Sequence, residues 1–298
     1  MKDQYIRGLA GNNSVRFMIV NSTKIVEKAR EIHKTSPVAT AAMGRVLSAA
    51  CMMGLMMKGS EIVSLQFKGG GPIRSIFATG WADGRVKGYV SDPHVHLPAK
   101  ENGKIDVGGA VGKEGELIVV RDFGMKEPYV GRSKLVSGEI AEDLVHYFAY
   151  SEQIPSVVAL GVNLNDDESV RAAGGLIIQT LPEITDEELS ILEKAVQKMP
   201  PMSTLIAEHG SCEAVLEAVL GEMNWVILQE GPVRFECDCS RDRIEKALIS
   251  MGRHDLEQLI EEDGKAEVNC HFCNKMYNFD KEALELLVSN ASEDEKTE

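Results

Sequence analysis

Positive charge is scarce in this chain: 32 Lys and Arg stand against 46 Asp and Glu in 298 residues, a net charge of −14 at pH 7. Such a surface keeps a protein soluble and repels polyphosphate, which weighs against a general nucleic-acid binder or a protein of anionic membrane surfaces. Aromatic residues make up only 5% of the chain. Long uncharged apolar runs are missing too. The most apolar stretch, 38–57, is broken by Arg45, and the 46–57 remainder is short of the roughly 20 residues that span a bilayer. It therefore reads as a core helix. The opening residues MKDQYIRGLAG carry Lys2, Asp3 and Arg7 and no apolar run of signal-peptide length, so a cytoplasmic location is expected. No repeat of fixed period occurs. HExxH, GxSxG and a paired catalytic carboxylate context are absent, and no enzyme is expected. Gly69-Gly70-Gly71-Pro72 lacks the Lys-Ser/Thr and the helix of a P-loop, so it reads as a turn and no nucleotide site is expected.

What is present, 44% hydrophobic and 26% charged residues, is an ordinary globular composition, and the length suggests two domains. Segments 5–10 and 15–20 flank a turn at 11–14 and read as a hairpin. Ser22 or Thr23 can cap a helix running to about His33, and Pro37 precedes the Ala/Met-rich helix. Runs 62–68, 73–79 and 85–90 read as an antiparallel meander, followed by strands at 116–122, 129–136, 157–163 and 172–179 and a helix at 139–152. Local strand pairs outnumber βαβ units, so the class is α+β. Beyond Leu181-Pro182 the texture becomes acidic and amphipathic: helices at 186–198, 203–208 and 212–220, interrupted by Pro200-Pro201, are expected to lie against a neighbour. The resulting division is an α+β core domain at 1–180, a helical linker at 181–232, a small four-cysteine zinc domain at 233–288 and a polar tail at 289–298.

Six cysteines in a reducing compartment point to metal or redox chemistry rather than structural disulfides. Cys237-Asp238-Cys239 is followed thirty residues later by Cys270-His271-Phe272-Cys273. Two close Cys pairs flanking a helical insert present four thiolates from two knuckles, the ligand set of tetrahedral Zn²⁺. His271 is the alternative ligand. Most four-cysteine sites only hold a small domain together, and a purely structural site in a protein- or nucleic-acid-binding module is the competing reading. Against nucleic acid, residues 234–281 hold eight Lys or Arg and eleven Asp or Glu. In favour of more than structure, cysteines at i, i+2 and i, i+3 can come within disulfide range, so each pair can close on itself once metal leaves. Oxidation then expels the metal, and the small domain, folded around it, unfolds. A helical connector lying between switch and large domain loses a neighbour, comes loose and bares apolar surface.

The motifs CDC and CHFC, with SRDRIEKAL, KGGGPI, GGAVGKEGELIVVRDFG, VSGEIAEDLVHYFAYSEQIPS and AAGGLIIQTLP, resemble the redox-regulated 33 kDa heat-shock chaperone (holdase) family over nearly the whole chain. The resemblance implies an ATP-independent holdase for unfolded client proteins, inactive when reduced with one Zn²⁺ per chain on Cys237, Cys239, Cys270 and Cys273. It also implies Cys237–Cys239 and Cys270–Cys273 disulfides on oxidation, zinc loss, unfolding of zinc domain and linker, and a homodimer. Of the remaining candidates, Cys51 reads as a packing residue and Cys212 as an inert thiol. Met43, Met52, Met53, Met56 and Met57 read as core, with part available as an adaptable client surface. His94 and His96, flanked by Pro93 and Pro98, read as an exposed loop.

Overall fold

The computed structural model describes residues 2–294 and begins with the hairpin the alternating pattern predicts. β1 (Gln4–Ala10) pairs antiparallel with β2 (Val15–Asn21), Gln4 opposite Asn21 and Ala10 opposite Val15. Gly11, Asn12 and Asn13 turn the chain at positive φ, the backbone region that glycine and asparagine tolerate best. In α1 (Thr23–His33) the cap differs from expectation: the Ser22 side chain makes no capping bond. Instead the Asp3 carboxylate accepts from the amides of Lys24 and Ile25 at 2.9 and 2.7 Å. A full negative charge from the residue before β1 satisfies the helix N-terminus better than a local hydroxyl.

α2 (Pro37–Leu55) is the central helix. Ser36 accepts from the amide of Ala39, and Pro37 sits in the first turn, where its missing N–H costs nothing. Every residue of α2 except Pro37 and Arg45 is buried. Among the described residues it is the one helix long and apolar enough to cross a membrane, and here protein encloses it. Arg45 is accommodated by Glu139, its Nη1 lying 2.6 Å from Oε2 and 3.1 Å from the Glu139 carbonyl.

β3 (Ile62–Lys68), β4 (Ser75–Trp81) and β5 (Arg85–Val90) form the expected meander. After α3 (Val107–Val111), β6 (Glu116–Asp122) and β7 (Tyr129–Lys134) extend it beyond β3. The Gly69-Pro72 turn packs on α3, the amides of Gly71 and Ile73 donating to the carbonyls of Val111 and Ala110. A Cβ on Gly71 would stand 2.4 Å from the Ala110 oxygen, so only glycine admits this approach. α4 (Ala141–Tyr150) leads into β8 (Ser156–Leu164) and β9 (Val170–Thr180), and β9 joins β2. The two sheets enclose α2 in one apolar core, with Met18 and Ile177 from one side and Leu65, Phe67 and Leu117 from the other.

The far face of the β1-β2-β9 sheet is covered by α5 (Asp186–Lys198), α6 (Met202–His209) and α7 (Cys212–Leu220). Leu192, Leu205, Ile206, Leu216 and Leu220 pack there on Ile6, Phe17, Ile19, Leu176 and Ile178. Thr185 and Glu188 cap α5 reciprocally, yet Leu192 is its only buried residue. The expected helical linker over 181–232 does not stay helical to its end. β10 (Val226–Pro232) pairs with β1, because the β-branched Val226-Ile227 favours extended backbone and β1 offers a free edge. β11 (Arg234–Phe235) then pairs parallel with β5. The sheets run β10-β1-β2-β9-β8 and β11-β5-β4-β3-β6-β7.

Contacts divide the chain into Met1–Glu236 and Cys237–Glu298. The second unit contains α8 (Arg241–Ile249), α9 (Arg253–Glu262), the expected hairpin of β12 (Lys265–Asn269) and β13 (Met276–Asp280), and α10 (Lys281–Asp294). Its core holds Leu248, Leu256, Ala266, Cys270, Tyr277, Phe279, Leu284 and Leu287. Part of the expected polar tail is helix: α10 continues over 289–294, where no Gly or Pro interrupts it, and 295–298 lie outside the described residues. The fold is α+β throughout.

Candidate metal centre

Cys237 and Cys239 occupy an extended stretch just before α8, whose first turn is capped by Ser240 accepting from the amide of Arg243. Cys270 follows β12, and Cys273 lies in the turn to β13. That turn is a closed knuckle. The amides of Cys273 and Asn274 donate to the Cys270 carbonyl at 3.3 and 2.8 Å, the Cys270 amide donates to the Lys275 carbonyl at 3.0 Å, and Asn274 takes φ 56°.

The two segments meet so that all four Sγ atoms lie within 4.8 Å of one another. Two approaches run between knuckles, Cys237 to Cys270 at 3.7 Å and Cys239 to Cys273 at 3.4 Å. A tetrahedral ion with metal–sulfur bonds of about 2.3 Å sets its sulfurs about 3.8 Å apart, so the residues present fit a four-thiolate cation. Among the described residues this is the one such group of His, Cys, Asp or Glu side chains. His271 is exposed and lies outside it.

Two further side chains brace the first knuckle. The Tyr277 hydroxyl donates to Cys239 Sγ at 3.2 Å, and Arg243 donates to the Asp238 carbonyl at 3.3 Å while pairing with its carboxylate. Arg241 lies over the Phe279 ring at 4.3 Å and donates to the Asn278 carbonyl at 3.1 Å, fastening α8 to the hairpin. Sequence pattern does not single out Tyr277 or Arg243, since a tyrosine at alternate strand positions reads as core and a helical arginine as surface.

Burial pushes the Cys237 thiol well above its usual range and the Cys273 thiol up to about 11. Burial acts the same way on Cys239, but hydrogen bonds from Tyr277 and the neighbouring thiols outweigh it and hold that thiol below its usual range. The bond to Cys239 in turn raises the Tyr277 phenol. Protons alone thus leave Cys237 and Cys273 as thiols, whereas a bound dication favours their thiolates.

The other two cysteines belong to the first unit. Cys51 is enclosed in α2, and Cys212, its Sγ donating to the Gln4 carbonyl at 3.7 Å, is pushed up to about 12 by burial. Both are inert packing thiols. Met43, Met52, Met53 and Met57 are core, and only Met56 is partly exposed. His94 and His96 are exposed.

The family model described as Hsp33 protein matches residues 3–280. A curated relative named 33 kDa chaperonin, from Bacillus cereus (strain B4264), is 47% identical over 290 residues, covering 97% of this chain and 100% of the relative. One of the same name from Alkaliphilus oremlandii is 48% identical over 290 residues, covering 97% of each. The crystal structure of the 33 kDa chaperonin (heat shock protein 33 homolog) from Thermotoga maritima aligns with a TM-score of 0.90 at 38% identity, covering 98% of this chain and 100% of that one.

Proposed function

The chain belongs to the Hsp33 family, and on that footing we propose that it is an ATP-independent holdase switched by the redox state of Cys237, Cys239, Cys270 and Cys273. The observation that carries this reading is the meeting of two cysteine knuckles with all four sulfurs within 4.8 Å. When reduced, the four cysteines hold one Zn²⁺ and the chaperone is inactive. Zinc, when bound, keeps all four sulfurs as thiolates and ties the knuckles together.

Each pair gives two electrons to one hydrogen peroxide. One thiolate displaces hydroxide from the peroxide and becomes a sulfenic acid, and the second attacks that sulfur and releases a second hydroxide. The products are the Cys237–Cys239 and Cys270–Cys273 disulfides. With the thiolates consumed the knuckles separate, and about 10–16 kcal/mol of metal-coupled folding free energy goes with them, more than a small apolar core replaces. The second unit unfolds, and α5, α6 and α7 then leave the sheet. Shallow seating of α5, with Leu192 alone buried, supports the release of that helix. Release bares Phe17, Ile19, Leu176 and Ile178 together with the inner faces of the helices, an apolar surface for unfolded clients. The oxidised protein dimerises. In a reducing cytoplasm the switch stays off until an oxidant arrives. The protein acts as a binder and turns over no substrate.

The test is light scattering of a denaturant-unfolded client in the presence of the zinc-loaded protein, reduced and after hypochlorite, while a chromophoric chelator follows zinc. Suppression of aggregation only after oxidation, in step with zinc release, is the expected result. Zinc that stays bound, or release that leaves aggregation unchanged, makes the site structural and overturns the reading.

A further inference from the structure

Resting on the reading of the four sulfurs as a metal centre, we propose that Tyr277 is a positioning residue of that centre: its hydroxyl holds Cys239 against the opposite knuckle and shields it from oxidant. The two knuckles are built differently. Cys270 and Cys273 are fixed by three backbone hydrogen bonds across their turn, and they keep their geometry through the chain itself. Cys237 and Cys239 lie in a stretch that is neither helix nor strand, where the Cys239 amide bonds the Cys237 sulfur and side chains from elsewhere supply further bonds. Arg243 grips Asp238 between them, and Tyr277 grips Cys239.

Tyr277 stands on β13 opposite Val268 of β12, in the hairpin that carries the second knuckle. Its hydrogen bond therefore braces the first knuckle from the hairpin that carries the second. The ring cannot swing away cheaply, because it is 6% exposed among Leu248, Leu256 and Phe279 and has Lys275 Nζ 5.0 Å from its centroid. A donor to a ligand atom orients that ligand and draws off part of its negative charge, and loss of such a partner costs about 10–100-fold in metal affinity. The same withdrawal of charge makes the sulfur a poorer nucleophile toward peroxide, so the hydroxyl retards the attack that begins disulfide formation.

Tyr277→Phe in the full chain removes the hydroxyl and keeps the ring. Phe279→Leu trims the same apolar core without a bond to sulfur and serves as the comparison. Each protein is reduced, loaded with Co²⁺ to read the sulfur-to-cobalt charge-transfer band, and loaded with Zn²⁺ for chelator competition and peroxide-driven release. The expected result is a shifted band, zinc held about tenfold less tightly, and faster release in Tyr277→Phe, with an unshifted band in Phe279→Leu. If the wild-type chain shows no thiolate band, the metal-centre reading itself fails. If the wild type shows the band and Tyr277→Phe leaves band, affinity and release unchanged, the centre stands and the positioning role falls. An affinity loss equal in both variants, with neither band shifted, reduces Tyr277 to packing and also overturns the proposal.

Discussion

The larger unit and the smaller one treat their cysteines in opposite ways. Cys51 and Cys212, at 0% and 2% exposure, are sealed inside extensive apolar cores that would hold without any sulfur chemistry. In the smaller unit three of the four cysteines are half-exposed, and among the described residues the apolar core around them has eight buried members, Cys270 among them. A large core stabilises by area alone, whereas a small unit leaves too much surface wet and needs an added constraint. In the switch proposed above that constraint rests on oxidisable atoms, which makes the smaller unit conditional and leaves the larger one permanent.

The strongest way to break this contrast is to take a sulfur from the smaller unit. Cys239→Ser is expected to forfeit most of the roughly 10 kcal/mol or more that metal binding contributes to folding. Metal content should fall and limited proteolysis should cut beyond residue 237 while the first unit stays intact. Unchanged metal content with an unchanged digest would erase the distinction between the units. The complementary change, Leu47→Ala in the buried centre of α2, is expected to destabilise the first unit by about 3 kcal/mol in denaturant unfolding and to leave zinc stoichiometry unaltered.

A smaller effect is expected in the helices over the sheet. Ile206 is 3% exposed where α6 meets the sheet, and Ile206→Asn buries an amide in place of an apolar side chain at a cost of about 2 kcal/mol. Reduced, zinc-loaded Ile206→Asn should then suppress client aggregation in part without oxidant; a reduced variant as inert as the wild type would mean that the helices over the sheet are not the gate.

The smallest effect concerns acid. Burial works to raise Glu139, but its bonds to Lys100 and Arg45 outweigh burial and hold the carboxyl below its ordinary range. A group whose folded pKa is lowered contributes stability above its unfolded value, and that contribution is lost as pH falls through the folded value. Glu139→Gln should therefore lower the first unit's stability at neutral pH and narrow its gap from the wild type on acidification. A gap that stays constant from neutral to acid pH would show that the Arg45–Glu139 pairing does not titrate with folding.

Much of the larger unit was legible from local pattern. The β1-β2 hairpin, the β3-β4-β5 meander, the buried Ala/Met helix and the Pro200-Pro201 break each follow from periodicity or from residues that fix backbone angles. β10 was not legible, because Val226-Ile227-Leu228 follows helical segments closely and its strand state is decided by the free edge of β1, more than 200 residues upstream. Arg45 looked like an interruption of an apolar helix until Glu139 was found beside it.

By itself the sequence determined the α+β class and the two short cysteine pairs, since spacing and periodicity are properties of neighbouring residues. Only the tertiary structure decided that Asp3 caps α1, that all four sulfurs converge, and that Tyr277 reaches Cys239 across 38 positions. Those contacts join residues remote along the chain, and which of them meet is set by how the sheets and the hairpin pack, an outcome of the whole fold that no local window contains.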